Sequence, residues 1–203
     1  MKVVIIGAGT SAKSVASILI ENKDYSLSGF ICSDEEKNLI NSNIYQNYKV
    51  IGSREILSNL SKMGIKGFVV AVGDIKLREI FFYKAINSDL IPINVISKNA
   101  VIPNTVEIGS GIIIKAGTIV GHNVSIGDNT KIDSSCVIEV GTQIANNCNI
   151  ETGTIISGEV NIKKNVHLGA RSIINSYITI GKNQIVDKNK EIKSSLKDLQ
   201  RTL

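Results

Sequence analysis

A six-residue rhythm of aliphatic side chains dominates the second half of the chain. From Ile96 to Ile192, every sixth position carries Ile, Leu or Val, seventeen times in succession and without an insertion. The position four residues later is small or β-branched, as at Thr118 and Cys136. A fixed period of this kind is typical of stacked architectures, in which each repeat packs against its neighbours. The pattern therefore predicts a solenoid of short strands, with the cysteine side chain in its interior.

The first half of the chain follows a different pattern. Short apolar runs alternate with stretches of helical periodicity, which predicts a parallel sheet with crossover helices. We expect an α/β domain over residues 1–92 and an all-β domain over residues 93–192. The predicted strands cover residues 2–6, 26–32, 49–51 and 67–72, and the predicted helices cover 11–22, 53–63 and 76–87.

The last residues return to a helical spacing. Ile192, Leu196, Leu199 and Leu203 follow one another at intervals that place them on one face of a helix. A solenoid needs its ends protected. We therefore expect residues 193–203 to form a short C-terminal helix that caps the repeat or packs against another subunit.

A glycine-rich loop follows the first predicted strand and opens the first predicted helix. The run GAGTSA at residues 7–12 fits the G-x-G-x-x-G/A fingerprint, in which the backbone approaches a phosphate and the helix N-terminus stabilises its charge. A purely structural tight turn is the alternative. The short domain favours a mononucleotide or nucleotide sugar over a dinucleotide. Asp34 and Glu35 follow the second strand, where they can meet a ribose or base or lie in a solvated loop.

Charge and composition narrow the choice of partners. The formal charge is +5, but basic and acidic residues are interleaved, so we expect no nucleic-acid binding. A modest positive field suits a phosphorylated or CoA-type ligand. No apolar stretch is long enough to span a membrane or to serve as a signal peptide, and three cysteines at irregular spacing fit a reducing compartment. We expect a cytoplasmic protein without membrane insertion and without a metal site.

With these features, the chain resembles the hexapeptide-repeat sugar acyltransferases, in particular the UDP-amino-sugar N-acetyltransferases and sialic acid O-acetyltransferase-like proteins. The resemblance implies a Rossmann-like N-terminal domain, a left-handed parallel β-helix with three repeats per coil, a homotrimer, and acetyl-CoA as co-substrate. In that family, the glycine loop and a G-[DN]-x-x-x-R segment contact the nucleotide sugar. The positions implied for substrate binding here are Gly7, Gly9, Thr10, Ser11, Asp34, Gly73, Asp74 and Arg78.

The histidine that acts as general base in this family is missing from its usual place. The family motif is approximately S-x-V-I-E-H-[DE], whereas residues 134–141 read SSCVIEVG. Glu139 matches, Val140 has replaced the histidine, and Gly141 has replaced its acidic partner. Valine cannot accept a proton, so the chemistry is either carried by another residue or absent.

His122 is our candidate for a displaced base. It precedes Val140 by eighteen residues, so in a three-sided coil the two residues stack on the same corner, about 4.8 Å apart. A solvated corner histidine is the alternative interpretation. His167, the other histidine, falls on a different part of the coil and is a weaker candidate.

Positions that match the family's CoA contacts are Asn149, Gly158, Gly169 and Ala170. The resemblance implies an acetyl-CoA-dependent acyltransferase that acetylates an amino or hydroxyl group of a nucleotide-linked or sialic-acid-type sugar in bacterial surface-glycan synthesis. Two alternatives stay open. One is a catalytically inactive trimeric scaffold or regulator that binds a nucleotide sugar, and the other is a transferase with a different acyl donor.

Overall fold

The computed structural model describes residues 1–200 and divides the chain into two compact units, Met1–Val95 and Ile96–Leu203. The first unit is built on a six-stranded sheet in the order β3-β4-β2-β1-β5-β6, which is parallel except for the β3–β4 pair. Its elements are β1 (Lys2–Ile6), α1 (Thr10–Leu19), β2 (Ser26–Cys32), β3 (Asn43–Tyr45), β4 (Tyr48–Ser53), β5 (Gly67–Val70), α2 (Ile75–Ile86) and β6 (Ile91–Pro92).

The predicted α/β pattern is largely confirmed in this unit. Strand β1 is the centre of the core, because Val3, Val4, Ile5 and Ile6 are fully buried. The helix predicted over residues 53–63 is replaced by two short 3-10 helices, Arg54–Asn59 and Ser61–Met63. Serine and asparagine are frequent in that segment, and their side chains compete with a regular helix for backbone hydrogen bonds.

The second unit is a three-sided parallel β-helix. Two-residue strands form three sheets, in the orders β10-β13-β16-β19-β22, β20-β17-β14-β11-β8 and β21-β18-β15-β12-β9-β7. Partners lie eighteen residues apart, as Ile132 pairs with Ile150 and Ile150 with Leu168. The predicted repeat of three hexapeptides per coil is therefore confirmed.

The strands of this unit are short because a corner interrupts the chain after every second strand residue. In chain order they are β7 (Val95–Ile96), β8 (Glu107–Ile108), β9 (Ile113–Ile114), β10 (Ile119–Val120), β11 (Ser125–Ile126), β12 (Lys131–Ile132), β13 (Val137–Ile138), β14 (Gln143–Ile144), β15 (Asn149–Ile150), β16 (Ile155–Ile156), β17 (Asn161–Ile162), β18 (His167–Leu168), β19 (Ile173–Ile174), β20 (Thr179–Ile180), β21 (Ile185–Val186) and β22 (Glu191–Ile192).

The interior of the β-helix consists of stacked aliphatic side chains. Ile132, Ile150 and Leu168 are fully buried, and so are Cys136 and Cys148, as the six-residue pattern predicts. Burial raises the pKa of the Cys136 thiol to about 11. Both cysteines are free thiols that fill space in the core.

Asparagine residues form a ladder along one line of corners. Asn129, Asn147, Asn165 and Asn183 all have positive φ angles, between 55° and 65°. The amide Nδ2 of each of the first three donates to the Oδ1 of the next, at 2.9, 2.8 and 3.1 Å, and Asn183 Nδ2 donates to Leu199 O at 2.8 Å. Asparagine tolerates the left-handed conformation that these corners require, and its amide can hydrogen-bond to both neighbouring coils.

The predicted C-terminal helix is wrong for residues 193–200, which contain no helix. Leu196 instead forms a parallel bridge with Ile180, and its backbone exchanges hydrogen bonds with Thr179 O at 2.9 Å and Gly181 N at 2.7 Å. The segment therefore continues the winding as a partial coil. A spacing of four residues fits both a helix and a hexapeptide coil, and the unpaired edge of β20 favours the coil. Leu203 lies outside the described residues.

No helix among residues 1–200 has both the length and the apolar character needed to cross a lipid bilayer.

Candidate functional site

The glycine loop closes tightly against the end of β5. Gly7 has a φ angle of +125°, and a Cβ at this position would lie 2.8 Å from the carbonyl oxygen of Ala71. Only glycine satisfies both conditions. Gly9 is the N-cap of α1, where no side chain caps the helix and no acidic residue occupies the first turn. The positive pole of this helix is therefore open to an anion.

A cavity of about 430 Å³ lies at the carboxyl ends of β1, β2 and β5. Its walls are residues 7–11 of the glycine loop, Ser33 with Glu35 and Glu36 after β2, and residues 71–73 after β5. The Oγ of Ser11 is buried and has no hydrogen-bond partner. The predicted residues Gly7, Gly9, Thr10, Ser11 and Gly73 thus surround one space, which is large enough for part of a nucleotide.

Of the two acidic residues predicted to lie here, Asp34 and Glu35, only Glu35 lines the cavity. Asp34 forms an ion pair with Arg54 and does not line the cavity. Glu35 and Glu36 do line it, although Glu36 Oε2 already accepts hydrogen bonds from Ser33 N at 3.2 Å and Ser33 Oγ at 3.0 Å. Glu35 is therefore the exposed carboxylate that faces the cavity.

The segment after β5 places its predicted residues in three different environments. Gly73 faces the cavity, with no atom within 4 Å of the position that its Cβ would occupy. Asp74 caps α2, since its Oδ1 accepts a hydrogen bond from Leu77 N at 2.7 Å. Arg78 is fully buried and does not line the cavity. The sequence spacing identified the segment, but of these three residues only Gly73 reaches the open space.

His122 lies on the same corner of the β-helix as Val140, as the eighteen-residue spacing predicts. Gly141 N donates to His122 O at 3.1 Å, which stacks residues 140 and 141 on residues 122 and 123. Val140 is 46% exposed, and His122 is also exposed. Glu139, the residue that matches the family motif, is exposed beside Val140.

The two ring nitrogens of His122 differ, because Nδ1 lies within hydrogen-bonding distance of Thr105 and Nε2 does not. Nδ1 lies 3.0 Å from the hydroxyl oxygen of Thr105, which also accepts a hydrogen bond from Asn123 N at 3.3 Å. An Nδ1–H that donates to this oxygen leaves the lone pair of Nε2 available. In this tautomer His122 has the arrangement of a general base.

The residues predicted to contact CoA do not all lie together. Asn149 and Ala170 meet at a polar cluster around Glu151, whose Oε2 accepts a hydrogen bond from Ala170 N at 3.0 Å. His167 completes the cluster, with Nδ1 3.0 Å from Asn149 Nδ2 and Nε2 3.5 Å from Glu151 Oε1. Both ring nitrogens of His167 therefore have partners, so neither is as available to take a proton from a substrate as Nε2 of His122.

The other two predicted CoA residues lie apart from each other. Gly158 stacks next to Val140, since a Cβ on Gly158 would lie 3.6 Å from Val140 Cγ1. Gly169 is buried in the coil beside Ala170, and its N–H donates to Val186 O at 2.8 Å. Sequence reasoning did not select Glu151. The signal for it was its position sixteen residues before His167, which in an eighteen-residue coil puts a carboxylate within reach of the imidazole.

Part of the chain is similar to a known protein family. Residues 2–85 match the family described as the PglD N-terminal domain. No curated protein matches the chain.

Solved structures match almost the whole chain. A mutant of GDP-perosamine N-acetyl transferase from Caulobacter crescentus, in complex with CoA and GDP-perosamine, is 25% identical, with a TM-score of 0.90 over 98% of this chain and 91% of that chain. The acetyltransferase domain of PglB from Neisseria gonorrhoeae, in complex with acetyl coenzyme A, is 21% identical, with a TM-score of 0.86 over 97% and 93% of the two chains. WeeI from Acinetobacter baumannii is 19% identical, with a TM-score of 0.67 over 98% and 94%. The chain therefore has the fold of these proteins.

Proposed function

We propose that the protein is an acetyl-CoA-dependent acyltransferase that acetylates an amino or hydroxyl group of a nucleotide-linked or sialic-acid-type sugar. We place this reaction in bacterial surface-glycan synthesis, in the cytoplasm. One observation carries the proposal: His122 presents an available ring nitrogen beside Val140, in a chain that is 25% identical over 98% of its length to a GDP-perosamine N-acetyl transferase.

The cavity of the first unit supports a nucleotide-sugar substrate, and we propose that this unit is Rossmann-like. A phosphate at the N-terminus of α1 would meet the uncapped helix and the buried hydroxyl of Ser11. Glu35 would accept a hydrogen bond from a ribose hydroxyl, because it is exposed and lines the same cavity.

His122 supports the acyl transfer itself. The acceptor must lose a proton to become a nucleophile, and a neutral imidazole can take that proton near pH 7. The acceptor atom then forms a bond to the carbonyl carbon of the thioester as the carbon–sulfur bond breaks, and CoA leaves as a thiolate that takes up a proton. We propose that Glu139 contributes negative charge beside this base, and that Asn149, Gly158, Gly169 and Ala170 lie along the path of CoA.

An apolar line on the outside of the β-helix supports a homotrimer of left-handed β-helices. The outward side chains of one sheet are aliphatic in five successive coils, and exposure reaches 60% at Val101 and 49% at Ile119. Contiguous exposed apolar surface is typical of an interface. The line consists of Val101, Ile119, Val137, Ile155 and Ile173. A second copy of the chain is the occupant we propose.

A CoA-release assay over a panel of nucleotide-linked amino sugars and sialic acids tests the function. We expect release of free thiol from acetyl-CoA with at least one acceptor, and a trimer by light scattering. Each ligand should also stabilise the fold, by about 2.7 kcal/mol at 100 times its dissociation constant. Failure to release CoA with every acceptor would refute the transferase.

The scaffold is the second candidate function, and Val140 in place of a basic residue favours it. A scaffold would be stabilised by a nucleotide sugar but not by acetyl-CoA. Stabilisation by both ligands without thiol release would also support it, because the site would then bind both substrates and lack the base.

A further inference from the structure

The corner that carries Val140 receives a carboxylate from the next coil. Glu159 N donates to Val140 O at 2.9 Å, so Glu159 stacks directly on Gly141. A Cβ placed on Gly141 would lie 2.6 Å from the carboxylate carbon of Glu159 and 2.9 Å from its Oε2. The side chain of Glu159 therefore folds back along the corner and fills the space that Gly141 leaves open.

This position does not stabilise the fold through ion pairing. Glu159 has a φ angle of +57°, in the left-handed region that residues other than glycine, asparagine and aspartate avoid. Most of the equivalent corners carry asparagine or glycine. Glu159 is exposed, and its carboxylate forms no ion pair or side-chain hydrogen bond with any residue between 1 and 200.

The carboxylate of Glu159 lies among the groups that the proposed reaction uses. His122 is one coil before Val140 on this corner, and Glu159 is one coil after it. Glu139 is exposed immediately before Val140 in the chain. Val140 thus lies between two carboxylates that have no cationic partner among residues 1–200, and His122 lies on the adjoining coil.

We infer that Glu159 determines acceptor specificity and that the acceptor is a protonated amine rather than a hydroxyl group. The inference rests on the proposed function, because it identifies the acceptor of the same site. An unpaired carboxylate attracts an ammonium group through a charge-assisted hydrogen bond, whereas a hydroxyl group gains a weaker neutral one. The position of the Glu159 carboxylate over Gly141 determines the side from which its negative charge acts on the acceptor.

The proposed transfer of the acetyl group to an amine needs only Glu159, His122 and the two substrates. Glu159 holds the ammonium group, and His122 Nε2 takes one of its protons. The freed nitrogen lone pair attacks the thioester carbonyl, so that a carbon–nitrogen bond forms and the carbon–sulfur bond breaks. The departing thiolate takes the second proton from nitrogen, which leaves an amide and a thiol, and His122 returns its proton to solvent.

Calorimetric titration at pH 7 tests the inference with two probes, GDP-perosamine and the GDP-sugar that carries a hydroxyl group in place of its amine. We expect the wild-type protein to bind the amine about tenfold more tightly. Glu159→Gln keeps the shape of the side chain and should reduce this preference to less than about twofold, without weakening the hydroxyl sugar. Glu107→Gln, an exposed glutamate on another sheet, is the matched control and should keep the preference.

Gly141→Ala provides an independent check, because its new methyl group would occupy the space that the Glu159 carboxylate fills. It should lose the preference to the same extent as Glu159→Gln, and the double variant should lose no more. Thermal unfolding of each variant reports whether the fold is intact. A Glu159→Gln protein that keeps the preference would overturn the inference, as would a wild-type protein that binds both sugars equally or neither.

The outcomes also separate this inference from the proposed function. Amine preference that depends on Glu159, without any CoA release, would refute the transferase and keep the assignment of Glu159. Turnover without such a preference would overturn the assignment alone.

Discussion

The two units of this chain build their sites in opposite ways. In the first unit, the cavity is formed by the loops that follow β1, β2 and β5, and it depends on a backbone conformation that only glycine can adopt. Gly7 is the clearest case, because Ala71 O leaves no room for a side chain. In the β-helix, residues eighteen positions apart share a corner, as His122 and Val140 do. A functional group in a solenoid can therefore move by one coil and still face the same space.

The strongest test of this comparison is to move the base. His122→Asn should lower kcat by about 10²–10⁴-fold, the range typical of a lost general base, with the oligomer intact. Adding Val140→His to that variant should restore part of the lost turnover, because the new imidazole lies one coil away on the same corner. Unchanged turnover in His122→Asn, measured by thiol release, would contradict the displaced base.

The buried thiol of Cys136 gives the next largest effect, on the pH dependence of stability. Its pKa is about 11 in the folded protein and 9.0 in the reference state, so ionisation above pH 9 favours the unfolded chain. The free energy of unfolding should fall between about pH 9 and pH 11, by an amount approaching 2–3 kcal/mol. Urea unfolding at a series of pH values measures this fall, and Cys136→Ala should flatten it. A slope that persists in Cys136→Ala would assign the effect to another group.

Gly7→Ala tests the first unit, in which no other residue can take over the role of Gly7. The left-handed φ angle and the contact with Ala71 O should together lower the free energy of unfolding by at least about 1–2 kcal/mol and abolish nucleotide-sugar binding. Gly9→Ala is the control for stability, since no atom lies within 4 Å of its Cβ position and its φ angle is −85°. Equal stability of the two variants by thermal unfolding would show that the close approach at Gly7 is unimportant.

The smallest expected effect comes from the asparagine ladder. Asn147→Ala removes the central amide and leaves alanine in a left-handed conformation, which should cost about 1–2 kcal/mol of stability. Asn147→Gly keeps the permitted conformation and loses only the hydrogen bonds, so it should cost less. The order of the two unfolding midpoints in urea separates backbone strain from hydrogen bonding, and the reverse order would refute this account.

The sequence predicted the β-helix in detail because its interior repeats every six residues, so that one period fixes strand, corner and register together. The same pattern could not distinguish the end of the solenoid from a helix, since Leu196 follows Ile192 at a spacing that suits both. In the first unit, sequence order identified the glycine loop and the loop after β2. It could not show that Asp34 turns towards Arg54 while Glu35 faces the cavity, because side-chain direction depends on the 3-10 helix Asp34–Leu39.

The partial coil at the C-terminus has a consequence for how the protein associates. A stack of parallel strands presents an open edge, to which another copy can add its own backbone and so begin a fibre. Leu196 pairs with Ile180, which lies sixteen rather than eighteen residues earlier, so this segment does not keep the register of the repeat. Asp198 occupies the position six residues after Ile192, where the repeat would require an aliphatic residue. A charged side chain there cannot continue the apolar column. Residues 193–200 therefore protect the edge of β20 from pairing with another copy of the chain.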